Sequence, residues 1–226
     1  MTKQSRGCAV VREALSGSGI ELVASCSAEA YDARAPQAFR SSHWLPGARG
    51  VIVVASAGPT LWRRFREHMD ANRARWDEPH PYDAFVGAAL ARADDALAAE
   101  GISFRRFDAA YQAPVRIDFL ALSALTGLGS ASPFAIHIHE THGPWWALRG
   151  AWLVDAEVDP PLAHRPPCVG CAAPCVGGQA ASGTLFSATA EVRGRCVVGQ
   201  GSRYDAEQIA YHYDRARCLE RLRGRG

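Results

Sequence analysis

The sequence has 226 residues, of which 48% are apolar and 21% are charged, and its formal net charge is +2 at pH 7. This composition is that of an ordinary globular chain and excludes extensive disorder. The small net charge gives no field strong enough to predict binding to nucleic acid or to a membrane. The length suits one large domain or two small ones, and we expect a single domain over residues 1–226.

No targeting segment is visible. Residues 1–7 lack the apolar stretch of a signal peptide, and no run approaches the roughly 20 apolar residues that a membrane helix needs. We therefore expect a cytoplasmic protein, in a compartment where disulfides are rare. Since three of the seven cysteines fall within eight residues, metal binding or redox chemistry is the expected use of the cluster.

The first half of the chain predicts helices interleaved with strands. Helices are expected over residues 9–16, 61 to about 75 and 81–100, and strands over 20–26, 51–56 and 102–107. The helix that begins at Pro81 has the clearest signal, because apolar residues recur at helical spacing from Val86 to Leu97 before Gly101 ends it.

The second half predicts a helix over 115–126, strands over 134–140 and 145–154, and a last helix over 206–222. Residues 156–203 are rich in Pro, Gly and Cys and show little periodicity. We therefore divide the chain into a core of about residues 15–155, a Cys-rich segment of about 160–200 and a C-terminal helix of about 204–222. Strands and helices without regular βαβ spacing favour the α+β class.

The densest chemical signal is the segment Pro166-Pro-Cys-Val-Gly-Cys-Ala-Ala-Pro-Cys175. Cys168, Cys171 and Cys175 have the spacing C-x2-C-x3-C, in which a turn presents two sulfurs to one metal ion or cluster. Thiolates are ligands of iron–sulfur clusters and of zinc. Cys196 is the candidate for a fourth ligand; without it, one coordination position is open. Zinc, or three inert thiols, are the alternatives.

Two further features lie on the strands before this segment. His137 and His139 point to the same face of a strand, with His142 nearby, so they can bind a metal or hydrogen-bond a polar cofactor. A strand with one solvated face is the simpler interpretation. Trp145 and Trp146 point to opposite faces, which leaves one ring to the core and the other free to wall a flat ligand.

Nucleotide and hydrolase motifs are absent. Gly127-Leu-Gly129 follows a helix rather than a strand and is too short for a dinucleotide fingerprint. The sequence contains no G-x-x-x-x-G-K-[ST] loop and no G-x-S-x-G elbow.

Two stretches resemble the MMACHC family of cobalamin-trafficking proteins. Residues 138–161, with Gly143-Pro-Trp-Trp-Ala-Leu-Arg-Gly150 at their centre, resemble its Gly-Gly-Trp-Phe-Ala-Ile-Arg-Gly segment. Ser202-Arg-Tyr-Asp-Ala-Glu-Gln-Ile-Ala-Tyr211 resembles the start of a later helix in that family. The resemblance implies a nitroreductase-like (flavin reductase-type) sheet flanked by helices that holds a cobalamin. It also implies removal of the upper cobalamin ligand, by reduction or by transfer to glutathione.

A second resemblance is to epoxyqueuosine reductase and the reductive dehalogenases. Thr126-Gly-Leu-Gly129, the stretch from His139 to Trp146 and the cysteines from Cys168 to Cys175 follow in the order of that family's motifs. Epoxyqueuosine reductase carries two full clusters on eight cysteines, whereas this chain has one partial set. The resemblance therefore implies an MMACHC-like body with a reduced cluster loop near the C-terminus, for which a 4Fe–4S cluster is expected.

The expected site residues follow from these patterns. The cofactor-binding candidates are Gly143, Pro144, Trp145, Trp146 and Arg149 against the corrin ring, Arg203 and Tyr204 near the ligand or reductant pocket, and His137 and His139. The metal-binding candidates are Cys168, Cys171, Cys175 and Cys196.

The functional hypothesis is a cobalamin-binding oxidoreductase with an iron–sulfur relay. One alternative is an iron–sulfur or flavin (FAD or FMN) redox protein with a substrate other than a corrinoid. Another is a trafficking module that binds cobalamin without turnover. The expected partners are cobalamin and an electron-donor protein or thiol, with no nucleic acid and no membrane. A homodimer paired through the sheets is an option that the resemblance adds.

Overall fold

A computed structural model describes residues 5–110, 117–133, 136–172, 175 and 185–224. The helices of this part are α1 (Arg6–Ala14), α2 (Ala28–Asp32), α3 (Ser41–Trp44), α4 (Thr60–Ala71), α5 (Pro81–Ala99), α6 (Phe119–Leu125), α7 (Leu185–Arg195), α8 (Ala206–Tyr213) and α9 (Arg215–Arg223). The strands are β1 (Leu22–Ser27), β2 (Gly50–Ala57), β3 (Phe104–Asp108), β4 (Ser130–Ala131), β5 (His137–Ile138) and β6 (Trp146–Val154).

Four of the strands form one antiparallel sheet in the order β1-β2-β6-β3. The two short strands β4 and β5 form a separate antiparallel pair. Because the longest pairing joins β2 to β6, the Trp-rich start of β6 lies beside the end of β2. The fold is therefore α+β, as expected, with helices flanking the sheet.

Apolar side chains cover both faces of this sheet. Ile52 and Val54 of β2 point into a core formed with helices α1, α4, α5, α8 and α9. Val51 and Val53 alternate to the other face, where they pack with residues of α2 and α6. Since both faces are covered, β2 is a nearly continuous apolar run and is buried from Gly50 to Ser56.

The elements of the first half match the predicted order. The strand expected over 51–56 is β2 with one more residue at each end, and the helix expected over 81–100 is α5. Residues 115–116 and 134–135, at the starts of a predicted helix and a predicted strand, lie outside the described residues. The remaining parts of those predictions correspond to α6 and to the short strand β5.

Two predictions for the C-terminal third are wrong. The helix expected over 206–222 is two helices, because Asp214 between them has φ −140° and ψ 60°, outside the helical region. Residues 156–203 were expected to be aperiodic, yet they contain helix α7. Among the described residues, no helix is both long enough and apolar enough to cross a membrane.

Candidate functional site

Of the two adjacent tryptophans, Trp145 precedes β6 and Trp146 begins it, and they point to opposite sides, as expected. The Trp146 ring packs in the apolar core that contains Val51, and its Nε1 donates to the carbonyl oxygen of His137 at 3.0 Å. The Trp145 ring is fully buried; it meets Tyr204 edge-on at 5.4 Å, and the Arg203 guanidinium lies 5.7 Å from its centre. Arg203 and Tyr204 cover Trp145, and Trp146 lies in the core, so neither ring is free to wall a flat ligand as the sequence predicted.

The turn at Gly143 makes the close backbone approach that the sequence predicted, but to this chain itself. A Cβ at Gly143 would lie 2.0 Å from the carbonyl oxygen of Val198, and one at Gly199 would lie 2.1 Å from the carbonyl of His142. Both glycines have positive φ angles, 58° and 74°. The two turns therefore pack backbone against backbone, which only glycine permits. This contact joins the loop after Cys196 to the start of β6.

A side-chain hydrogen bond supports the same contact. Nδ1 of His142 and Oγ of Ser202 are 2.8 Å apart. On the other side of the turn, the ring of His137 is hydrogen-bonded to Ser123 of α6. Two of the predicted histidines are thus tied to two different parts of the chain.

His139 has a defined tautomer. Its Nδ1 accepts the backbone N–H of Thr141 at 3.0 Å and that of His142 at 3.3 Å, so a neutral ring carries its proton on Nε2. Burial, with a smaller effect of the charges of His142 and His164, lowers the pKa of His139 to about 4. At pH 7 the ring is neutral and its Nε2–H is a hydrogen-bond donor. Of the two uses predicted, this geometry favours a polar partner over a metal ion.

The histidine turn also contacts the segment that leads to the cysteines. The backbone N–H of Arg165 donates to a carboxylate oxygen of Glu140 at 3.2 Å. Nδ1 of His164 lies 4.0 Å from the same carboxylate. His164 falls in the aperiodic segment, where no sequence signal marked it.

The structure brings the four predicted cysteines near one another. Burial raises the pKa of the Cys168 thiol, and the charges of Cys196, Cys171 and Cys175 raise it further. Burial likewise raises the pKa of Cys196, with additional effects of Cys175 and Cys171. The four sulfurs therefore lie within range of one another's charge. Cys175 and Cys196 are buried, and Cys168 and Cys171 are half-buried.

The closeness of the cysteines does not by itself make a metal site. Within residues 5–110, 117–133, 136–172, 175 and 185–224, no three or more His, Cys, Asp or Glu side chains are arranged to hold a metal ion. All the cysteines among these residues are free thiols. The metal site expected at the cysteines remains a prediction.

A break in the sheet register positions Arg149. Along the β2–β6 pair, Val54 lies opposite Gly150, but the next residue, Ala55, lies opposite Leu148. Arg149 is therefore the extra residue of a β-bulge, a feature that turns a side chain out of the normal alternation.

The Arg149 side chain extends from this bulge into an aromatic region. Its Nε donates to Oγ of Ser56 at 2.8 Å, and its guanidinium lies 5.2 Å from the centre of the Tyr82 ring. Its Nη2 is buried without a hydrogen-bond partner among the described residues, as are the Tyr82 hydroxyl and Nε of Arg193. Unpartnered buried donors are costly, so this group of donors suits an anionic or carbonyl-bearing ligand.

His212 lies among the same cations. Its ring is accessible to solvent, yet desolvation by the surrounding protein and the charges of Arg149, Arg193 and Arg215 lower its pKa to about 3. The ring contacts Tyr204 at 5.7 Å, which connects it to Trp145.

The arginines near His212 and Trp145 are not neutralised by ion pairs. None of Arg149, Arg193 and Arg203 forms an ion pair with a carboxylate of the described residues. Asp83 and Asp108 do line a small cavity of about 20 Å³ beside Arg149. The site therefore carries an excess of positive charge. We call it the arginine cleft, formed by Arg149, Arg193, Arg203 and His212.

The predicted residues therefore fall into two connected groups. Arg149, Arg203, Tyr204 and Trp145 lie at the arginine cleft, and His137, His139, Trp146 and the cysteines lie on the opposite side of the Gly143 turn. Sequence reasoning missed Arg193 and His212 of the cleft. Arg193 belongs to helix α7, which the sequence did not predict. His212 directly follows Tyr211, the last residue of the motif, so its position in the sequence could have indicated it.

The fold is similar to those of known protein structures, although its sequence matches no known family. No protein-family model matches the chain, and no curated protein matches it. The structure is similar to the crystal structure of a C. elegans B12-trafficking protein, CblC, a homologue of human MMACHC. The TM-score is 0.63 at 15% sequence identity, over 95% of this chain and 93% of that chain.

The structure is also similar to epoxyqueuosine reductase from Streptococcus thermophilus. The TM-score is 0.51 at 13% identity, over 74% of this chain and 50% of that one. A reductive dehalogenase aligns with 76% of this chain at a TM-score of 0.43. The resemblance inferred from the sequence motifs is therefore confirmed for CblC and for about half of epoxyqueuosine reductase, at the level of the fold.

The backbone contact between the two turns generates a stability prediction. In the variant Gly199→Ala, residue 199 would keep a positive φ and its Cβ would overlap the His142 carbonyl. Left-handed strain alone costs about 1–2 kcal/mol, so the free energy of unfolding should fall by more than that. Gly17→Ala isolates that strain, since its φ is 71° with no atom within 4 Å of the added Cβ. Gly201→Ala has neither feature and is the neutral control. Urea unfolding followed by tryptophan fluorescence measures all three; equal stability of the Gly199 and Gly201 variants would contradict the contact.

The neutral His139 generates a pH prediction. Its folded pKa is about 4 and its unfolded pKa about 6.5. Between these values the unfolded chain binds more protons, so stability should fall as the pH decreases from about 6.5 to about 4. His139→Asn keeps an acceptor for the backbone N–H groups but cannot titrate, so its unfolding free energy should fall less over this window. Urea unfolding at several pH values tests this, with the exposed His43→Asn as control. Parallel pH profiles for wild type and His139→Asn would disprove the assignment.

Proposed function

We propose that this protein binds a cobalamin and removes its upper axial ligand by reduction, as an oxidoreductase. The proposal is supported by the fold likeness to a B12-trafficking CblC over 95% of the chain. The observation that carries it is the contact between the loop after Cys196 and the Gly143 turn. Because Cys196 is three residues before Gly199, this contact brings the end of the predicted cysteine group toward the segment whose motif resembles that of cobalamin-binding proteins.

The four thiols have the donor type of an iron–sulfur cluster. Cys168, Cys171, Cys175 and Cys196 would hold it, and when bound it supplies one-electron transfer. Zinc on the same four thiols is the structural alternative. The proposal includes a nitroreductase-like type for the α+β sheet. A sheet of this type leaves FAD or FMN as a further candidate cofactor.

The chain's own residues would bind and orient the corrinoid. The Nε2–H of His139 can donate to a polar side chain of the ring, and the neutral state of this histidine avoids adding a charge to a buried site. The ring of Trp146, buried beside His137 and His139, keeps water from the side of the turn on which His139 lies. One electron reduces Co(III) to Co(II), which weakens the axial bond, and the upper ligand leaves as an anion, such as cyanide.

The arginine cleft favours a second route. Three arginines without ion pairs, with unpartnered donors on Arg149 and Arg193, suit an anionic co-substrate. A carboxylate-bearing thiol such as glutathione meets this requirement. On this route the thiolate attacks the alkyl carbon of an alkylcobalamin, a thioether forms, and the electron pair of the Co–C bond remains on cobalt as Co(I).

The reductive route is tested with anaerobically purified protein. We expect stoichiometric iron and sulfide, a shift of the visible spectrum of cyanocobalamin on binding, and release of cyanide when dithionite is added. Cys171→Ser and Cys196→Ser should lose iron and cyanide release but keep the binding shift. Cys218→Ala, a buried cysteine outside the group, is the matched control and should keep all three properties.

The alternatives give different results in the same experiment. A spectral shift without cyanide release indicates a trafficking module. A brown protein with no shift indicates a redox protein for another substrate. Zinc in place of iron would contradict the relay.

The thiol route is tested with methylcobalamin and two thiols. Arg193→Gln should raise the KM for glutathione by about tenfold, which corresponds to the loss of one charge-assisted hydrogen bond. The KM for uncharged 2-mercaptoethanol should not change. Arg217→Gln on the exposed side of α9 is the control. Equal effects on both thiols would refute an anion site at the cleft.

A further inference from the structure

A cavity of about 200 Å³ lies outside the candidate site, between helices α2 and α6. One wall is formed by the end of α2 and the loop after it, and the other is the side of α6 that carries Ala121 and Leu125. These two residues are four positions apart and share one side of the helix. Ser123, which is hydrogen-bonded to the histidine turn, lies between them in sequence and points to the other side. Helix α6 therefore separates this cavity from the histidine turn.

The loop wall of this cavity is apolar and held in place. Tyr31 is buried, and its hydroxyl donates to the carbonyl oxygen of Phe39 at 2.9 Å, so the phenol needs no polar partner from a ligand. The side chain of Phe39 also lines the cavity and is 41% exposed. The Asp32 carboxylate accepts hydrogen bonds from the backbone N–H and the hydroxyl of Ser41, at 2.7 Å each, which closes the loop. Because these bonds form the wall before a ligand arrives, binding should lose little conformational entropy.

Two opposite charges line the same cavity. Arg34 belongs to the loop wall, and Asp118, the N-cap residue of α6, belongs to the helix wall. They are too far apart to form an ion pair with each other, and neither forms one with another residue that the structure describes. The backbone N–H of Ala121 donates to Oδ1 of Asp118 at 2.8 Å, which holds the carboxylate in position. A ligand with one cationic and one anionic group therefore finds a partner for each.

We propose that this cavity binds a free apolar α-amino acid. Its side chain fills the cavity, its carboxylate pairs with Arg34 and its ammonium group pairs with Asp118. An apolar acid without the ammonium group would bring an uncompensated negative charge near Asp118, and an apolar amine would bring a positive charge near Arg34. The volume selects a small molecule, because pockets for drug-sized ligands measure roughly 300–1,000 Å³. This inference does not depend on the proposed function.

The test is a calorimetric titration of the full chain with L-phenylalanine and three compounds that each lack one of its groups. Phenylpropionate lacks the ammonium group, phenylethylamine lacks the carboxylate, and L-alanine lacks the large apolar side chain. L-Phenylalanine should bind with saturation. Each of the other compounds should bind at least about tenfold more weakly, because each loses one of the three contacts.

Substitutions of the two charged residues assign the polar contacts one at a time. In Arg34→Gln the ligand carboxylate loses its partner, so phenylalanine and phenylethylamine should bind with similar affinity. In Asp118→Asn the ammonium group loses its partner, so phenylalanine and phenylpropionate should bind with similar affinity, while asparagine keeps the N-cap acceptor of α6. Arg40→Gln is the matched control, because this exposed arginine lies in the same loop but does not line the cavity. It should keep the wild-type preferences.

A pair of substitutions on α6 tests the cavity itself. Ala121→Phe places an aromatic side chain in the cavity and should abolish the binding of phenylalanine. Ala124→Phe adds the same side chain at an exposed position of the same helix and should bind phenylalanine as the wild type does. Melting temperatures show whether the variants fold. If Ala121→Phe does not fold, the variants of Arg34 and Asp118 still decide the question.

Three results would overturn this inference. They are the absence of phenylalanine binding up to about 10 mM, wild-type binding of phenylpropionate or phenylethylamine as tight as that of phenylalanine, and equal binding by Ala121→Phe and Ala124→Phe. Cyanide release from cyanocobalamin is measured separately. Normal release without phenylalanine binding would overturn the amino-acid site alone. Saturable binding with the expected preferences supports the site even if no cyanide is released.

Discussion

The contact between the turns at Gly143 and Gly199 is the constraint on which the site depends. Neither residue has a Cβ, so the backbone of one turn packs directly on the backbone of the other. This contact anchors the chain after Cys196 to the start of β6. It thereby places Arg203 and Tyr204 over Trp145 and keeps the cysteine group beside the histidine turn. One pair of small residues thus connects the two parts of the candidate site.

The sheet contributes a second constraint through the bulge at Arg149. A regular strand would send residue 149 into the normal alternation, whereas the bulge directs its guanidinium between Ser56 and Tyr82. Keeping this cation and Arg193 without ion pairs costs stability, since buried donors lack partners. Departures from local rules of this kind are typical of functional sites, and here they coincide with the motif that resembles cobalamin-binding proteins.

Much of the fold could be predicted because its signals are local. The apolar run of β2 and the helical spacing in α5 each reflect burial of one short segment, and both appear where expected. Helix α7 was not predicted because its sequence has no clear apolar face and follows a Pro- and Gly-rich stretch. The break at Asp214 was missed because residues on both sides have helical periodicity, and only packing decides that the chain turns there.

The sequence by itself determined the order of helices and strands, the grouping of three cysteines and the opposite directions of Trp145 and Trp146. These follow from periodicity and from spacing within a few residues. Only the tertiary structure decided that both tryptophans are buried and that His139 is a neutral donor. It also decided that Cys196 joins the other thiols. Each of these depends on contacts between distant segments, whose free energy is set by the packing of the whole chain rather than by local pattern.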